Sequence, residues 1–162
     1  MSRVFSVEVD RVRLPNGTEH EVAVVRHRPS VVLLPMDGEG RVILIRQYRP
    51  SIARELWELP AGGVNEGESP EEAAARECEE EIGLVPSRLD RLGSLFPAPG
   101  FCDEQLVFFR ASDLRPPDAS STRRPDPDED IHPKSFTFDE ASSMVANGLI
   151  IDLKTAYGLT LL

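Results

Sequence analysis

Apolar and polar side chains alternate with a period of two from the start of the chain. FSVEVDRVRL begins at Phe5 and EHEVAVVRH ends at His27, and Pro15-Asn16-Gly17 stands between them. Such alternation puts successive side chains on opposite faces of a strand, so two runs around a turn tripeptide predict a β-hairpin. SVVLLPM, from Ser30, is a continuous apolar run and predicts a strand buried on both faces. DGEG is a turn, RVILIRQYR a further strand, and LWELPAG a strand running into a glycine turn. Beyond residue 84, RLDRLGSLFPAP and EQLVFFRASDL predict strands on either side of a Pro/Gly loop. Residues 115–130 are polar and proline-rich, a long loop of a kind that is either functional or mobile. KSFTF is the last expected strand. Thr137 and Glu140 then form a capping box for a helix ending near Asn147-Gly148, and Asp152 caps a second helix over LKTAYGLTLL. Strands interleaved with few helices predict an α/β or α+β layered domain.

Between these strands the period changes. Ser69-Pro70-Glu71-Glu72 combines an N-cap serine, a proline at the first helical position and a capping-box glutamate, and Gly83 suits the C-terminal cap. The spacing predicts a helix from about Pro70 to Ile82. With Glu77 at zero on a wheel of about 100° per residue, Glu81 falls near +40° and Glu80 near −60°. Ala74, Cys78, Ile82 and Ala75 form the expected buried stripe, while Glu79 and Glu72 point elsewhere and are expected in solvent.

The stretch from Gly62 to Leu84 holds eight glutamates and one arginine. Like charges on one helix face repel by a few tenths of a kcal/mol per pair, roughly. Three carboxylates on one face make physical sense around a hard divalent cation such as Mg²⁺, which takes oxygen ligands. An exposed acidic face accounts equally well for the helix alone. The flanking residues add weight to the first reading. Gly62-Gly63 permits a tight turn after a strand, and Arg76 is spaced to pair with Glu68 and brace the loop against the helix.

Composition narrows the classes. A chain of 162 residues at 40% hydrophobic content suffices for one core domain. A net charge of −10 argues against nucleic-acid binding, though a bound cation reverses the local sign and admits a phosphorylated substrate. No apolar run approaches a membrane span, and the N-terminal residues lack the apolar core of a signal peptide. With only Cys78 and Cys102, and no metal-ligand spacing between them, the expected compartment is the cytoplasm.

Gly62, Glu68, Arg76-Glu77, Glu80-Glu81 and Gly83-Leu84 resemble the Nudix box, G-x5-E-x7-R-E-U-x-E-E-x-G-U with U aliphatic. Cys78 stands at the first U position, where leucine is usual. The resemblance implies an α/β/α sandwich with a mixed sheet, and Mg²⁺- or Mn²⁺-dependent hydrolysis of a nucleoside diphosphate linked to another group. It implies metal ligation by Glu77 and Glu81, with Glu80 assisting and the Ala61 carbonyl as a further ligand. Arg76 and the carboxylates would form the catalytic set. IRQYRP, LWELPAG and FPAPGFCDE look like the ADP-ribose pyrophosphatase branch, as does Pro99, sixteen residues beyond Gly83. In that branch the N-terminal hairpin often exchanges between subunits. The expected organisation is therefore a dimerising hairpin over residues 1–30, a catalytic domain over 31–162, and a homodimer. ADP-ribose is the favoured substrate and GDP-mannose the nearest rival. A non-catalytic nucleotide sensor of the same fold is the alternative from another class.

Arg49 is a candidate phosphate ligand through its planar fork of donors, or else a surface arginine at a strand end. Gln47, Glu58 and Glu104 are candidate substrate contacts, each with a plain structural alternative. Trp57 and Phe5 are candidates for stacking on adenine; Trp57 is expected in the core, and Phe5 is undecided. In related pyrophosphatases a glutamate near the end of the long loop acts as general base or metal ligand, which points to Glu129 in Asp128-Glu129-Asp130, and a solvated acidic loop accounts for the triplet equally well. His132 and Cys102 are taken as incidental.

Overall fold

The computed structural model describes residues 5–124 and 130–162. Strands β1 (Phe5–Arg13) and β2 (Glu19–His27) form the expected antiparallel hairpin, with Gly17 in the left-handed conformation that its turn requires. The last residues of β2 are tied to the rest of the chain. The Val25 N–H donates to the Phe101 carbonyl at 2.7 Å, the Asp103 N–H donates back to the Val25 carbonyl at 3.1 Å, and Arg26 forms an ion pair with Asp103 at 3.0 Å.

Strand β3 (Ser30–Pro35) is buried at every residue, as its continuous apolar run predicts. It pairs in parallel with β8 (Leu106–Arg115) and antiparallel with β6 (Ala61–Gly63), and β7 (Val85–Leu95) completes the order β6-β3-β8-β7. Strand β4 (Val42–Arg49) is central in a second sheet, between β5 (Arg54–Glu58) and β9 (Ile131–Phe136). The Met36–Val42 bridge joins the two sheets.

Because side chains alternate along a strand, β3 serves two cores. Val31 and Leu33 pack with Ile43, Ile45, Val107 and Phe109 against helix α1 (Pro70–Ile82), while Val32 and Leu34 pack with Leu44, Phe108 and Phe136 on the opposite face. That second face is closed by α2 (Phe138–Ala146) and α3 (Leu153–Leu159) through Ala141 and Leu159. The result is the expected α/β/α sandwich with mixed strand directions. Helix α1 contributes Ala73, Ala74, Cys78 and Ile82, mostly small residues that let its axis approach the sheet closely. Trp57 is half-buried and packs edge-on against Phe136 of the second core at 5.0 Å, where a fully buried position was expected.

Two boundaries and the burial of one residue differ from the sequence-based expectation. The glycines after LWELP are not only a turn: Ala61–Gly63 extend and pair with Ser30–Val32. The strand expected to begin at Lys134 begins at Ile131 and runs through Pro133. A proline is tolerated there because β9 is an edge strand, where a missing N–H breaks no inner ladder. Glu79, expected in solvent, is buried against the loop before β9, where Ser121 donates to one of its oxygens and Arg123 donates to the other at 3.2 Å. Among the described residues no helix is long and apolar enough to cross a membrane.

A buried hydroxyl on helix α3 holds the chain just beyond β5. Thr155 is fully buried, and its Oγ1 accepts the Leu59 N–H at 2.7 Å. Replacing it with valine keeps the shape but strands that N–H. Thr155→Val is expected to cost about 1–3 kcal/mol of stability, read as a lowered midpoint in urea unfolding with an unchanged slope.

Candidate active site

The site is built where β6 crosses the flank of α1. Helix α1 has the caps its sequence predicts: Ser69 and Glu72 form a reciprocal capping box, and Gly83 takes the left-handed conformation at the C-terminus. Its helical spacing turns Ala73, Glu77 and Glu81 toward the protein, and both glutamates are buried. The Ala61 N–H donates to Glu81 Oε2 at 2.9 Å. Beside it, a Cβ on Gly62 would lie 1.9 Å from Glu77 Oε1, so only glycine leaves that carboxylate its place.

Arg76 gathers the rest. Its Nε and Nη2 donate to Glu68 at 2.8 and 2.9 Å, and Nη2 also donates to the Gly63 carbonyl at 2.9 Å. Its Nη1 donates to Glu77 at 2.6 Å and to Glu80 at 2.9 Å. The Arg76 guanidinium is held well above its ordinary pKa, by the Glu68 hydrogen bonds first, against burial, and then by Glu77 and Glu80. Reciprocally, Arg76 and the Asn65 N–H hold the Glu68 carboxyl below the usual carboxylate range. Burial pushes the Cys78 thiol up to about 12, helped by Glu81 and Glu79, so this cysteine is an inert core residue.

A cleft of about 1050 Å³ opens beside this network. Glu77, Glu80 and Arg76 line one side together with Ala61, Gly62 and Gly63. Arg49 and Glu58 line another: Arg49 donates to both Glu58 oxygens, at 2.8 and 2.7 Å. Glu58 is 1% exposed, and burial alone would raise its pKa; Arg49 and Lys154 outweigh burial and hold it below the ordinary value. Glu104 also lines the cleft and accepts the Ser30 hydroxyl at 2.8 Å.

Of the residues expected at the site, the structure therefore brings Arg49, Glu58, Ala61, Arg76, Glu77, Glu80 and Glu104 to one cleft, with Glu81 buried at the same turn. Gln47 and Phe5 are not brought there. Gln47 is buried in β4 with its Oε1 lacking a partner among the described residues, and Phe5 is exposed on the hairpin. Glu129 lies outside the described residues. His132 is exposed on β9, paired with Asp130 at 2.9 Å. Sequence reasoning missed Lys154, Asp152 and Tyr157, which reach the cleft from α3 and its cap. Nothing local to a lysine on a seven-residue helix marks it for a site that begins ninety residues earlier.

Glu77, Glu80, Glu81 and the Ala61 carbonyl offer oxygen donors only, the set preferred by a hard divalent cation. Gly62 preserves the space in which Glu77 turns toward β6. Among the described residues no three acid, histidine or cysteine side chains are gathered tightly enough to enclose an ion, since Arg76 engages Glu77 and Glu80 while the Ala61 N–H engages Glu81. The chemistry of the donors fits the cation; their present partners are protein groups.

The Glu68, Glu77 and Glu80 carboxylates held by Arg76 beside a polar cleft, on an α/β/α sandwich, are compatible with a hydrolase of phosphoanhydrides. The NUDIX domain family model matches residues 26–153, and the chain belongs to the Nudix family. Nudix hydrolases generally use divalent metals. The chain is 34% identical over 157 residues to an ADP-ribose pyrophosphatase of Bacillus subtilis (strain 168), covering 97% of this chain and 84% of that one. It is 42% identical over 113 residues to an ADP-ribose pyrophosphatase of Mycobacterium tuberculosis (strain ATCC 25618 / H37Rv), covering 69% of this chain and 55% of that one. A crystal structure of an ADP compounds hydrolase shares the fold, with a TM-score of 0.82 at 24% identity over 99% of this chain and 85% of that one.

Gly62→Ala tests the role of the β6 crossing. The new Cβ must displace the end of the Glu77 side chain from its place beside Arg76, so the carboxylate is moved while the strands and helices keep their packing. Pyrophosphatase activity is expected to fall by at least about tenfold, with far-UV circular dichroism unchanged.

Proposed function

We propose that this chain hydrolyses the diphosphate linkage of a nucleoside diphosphate sugar, with ADP-ribose as substrate and AMP and ribose 5-phosphate as products. The observation that carries the reading is the Arg76 network, which holds Glu68, Glu77 and Glu80 about one guanidinium beside the cleft. The ADP-ribose assignment is supported by the two bacterial relatives named above.

Glu77, Glu81 and Glu80, with the Ala61 carbonyl, are the residues that would hold Mg²⁺ or Mn²⁺. When bound, the cation neutralises diphosphate charge and lowers the pKa of water. The chain's own groups do the rest. Arg76 fixes the rotamers of Glu77 and Glu80, so little ordering is needed when substrate arrives. Glu58 fixes the Arg49 fork beside the cleft, where it can meet a phosphate. Glu104, oriented by Ser30, presents a carboxylate suited to sugar hydroxyls. Glu129, beyond the described residues, is the proposed general base.

The test is ADP-ribose hydrolysis with Mg²⁺, products resolved by chromatography, with GDP-mannose run in parallel. AMP and ribose 5-phosphate are expected from the wild type. Glu81→Gln is expected to lower turnover by at least about a hundredfold while leaving the melting temperature within a few degrees, roughly. Turnover of GDP-mannose alone would keep the chemistry and replace the substrate.

We further propose a homodimer joined through the hairpin of residues 1–30 beside the catalytic domain of 31–162. Phe5, Val7 and Val9 support it: they occupy alternate positions on one face of β1, and all are more than half exposed. Sedimentation equilibrium is expected to give twice the chain mass of 18.0 kDa, and Val7→Asp to give the monomer.

A further inference from the structure

The cations of the cleft are not equivalent. Arg76 is saturated: its donors are spent on Glu68, Glu77, Glu80 and the Gly63 carbonyl. Arg28 is exposed at the rim. Arg49 uses only Nε and Nη2, both on Glu58, so Nη1 and one further N–H have no acceptor among the described residues. Lys154 donates to Glu58 and to Asp152, the latter at 2.8 Å, and an ammonium has three donors. Both side chains line the cleft, and Lys154 is 13% exposed, reaching it from α3.

Their brace is unusual. Glu58 is all but inaccessible, and a buried carboxylate is costly unless paired. One cation suffices for that pairing, yet two converge on it. Asp152 makes the four-charge group neutral and also caps α3 through the Thr155 N–H at 3.0 Å. The protein thus holds two cationic groups, from strand β4 and helix α3, side by side with donors to spare.

We propose that Lys154, braced by Glu58 and Asp152, joins Arg49 in the cleft to form an anion subsite that grips a phosphate of the substrate. Lys154 is then a substrate-binding residue and Glu58 a positioning residue. The proposal rests on the diphosphate reading above only for the identity of the natural ligand; the subsite itself would take any phosphate monoester or diphosphate small enough for the cleft. A planar fork and a point charge at one locus suit a tetrahedral oxyanion, which offers several oxygens to divergent donors.

The experiment compares ADP with adenosine, binding each to metal-free protein in a calorimeter, and measures ADP-ribose kinetics with Mg²⁺. Wild-type protein is expected to prefer ADP over adenosine. Lys154→Met is expected to weaken ADP by about tenfold while leaving adenosine unchanged. It should raise KM for ADP-ribose by a similar factor, with kcat changed less. Lys154→Arg should restore most of the ADP preference. If Lys154→Met does not fold, Lys154→Met combined with Glu58→Gln keeps the charge balance, and loss of the ADP preference remains the expected result. Equal weakening of ADP and adenosine, a preference that survives both variants, or a wild type that shows none would overturn the subsite. A wild type that binds ADP through Lys154 yet hydrolyses no nucleotide sugar would overturn the proposed reaction and leave the subsite standing.

Discussion

The five donors of Arg76 hold the functional half of this molecule together. Without them, Glu68, Glu77 and Glu80 would repel one another across a few ångströms, and the loop from Val64 to Ser69 would lose its clamp to the helix. With them, a helix face that carries like charges is held in one arrangement, its Glu77 and Glu80 carboxylates sharing Nη1 of Arg76. The same guanidinium reaches the Gly63 carbonyl, so the strand that borders the cleft and the helix that faces it are fixed by one side chain. A lysine could not replace it, since an ammonium has neither the fork nor the number of donors.

A second charge knot repeats this logic on the other wall. Glu58 is buried, and Arg49 and Lys154 keep it ionised from two directions. The two knots differ in what they leave over. Arg76 has no donor to offer a ligand, whereas Arg49 and Lys154 do. The cleft therefore presents carboxylate oxygens at Glu77 and Glu80 and spare N–H groups at Arg49 and Lys154.

Two peripheral segments are bound to this centre more firmly than their surface character suggests. The end of β2 forms backbone hydrogen bonds with Phe101 and Asp103, one residue before Glu104, so the hairpin orders the loop that brings Glu104 to the cleft. The loop before β9 is held by Glu79, whose burial against Ser121 and Arg123 attaches it to the same helix that carries the box carboxylates. Movement of either segment would be felt at the site without any change in the helix itself.

The local patterns carried much of this. The period-two runs, the continuous apolar β3, the capped helix from Pro70 to Ile82 and its sorted carboxylates are short-range properties, set by side-chain alternation, by cap chemistry and by a wheel of 3.6 residues per turn. Glu68 and Arg76 pair as their spacing predicts because both belong to one loop-helix unit. The remaining features depend on which surfaces meet. Glu79 looks solvated on the wheel, yet a loop some forty residues away covers it. Gly62 reads as a turn until β3 offers a partner for its backbone. Pro133 argues against a strand until the strand proves to be an edge. Lys154 becomes a cleft residue only because α3 packs against Phe108 and Leu59, ninety-six residues from the Glu58 that its ammonium contacts. Chain order fixed the chemistry of each segment; long-range packing decided which groups would share one low-dielectric space, where a missing or added charge matters most.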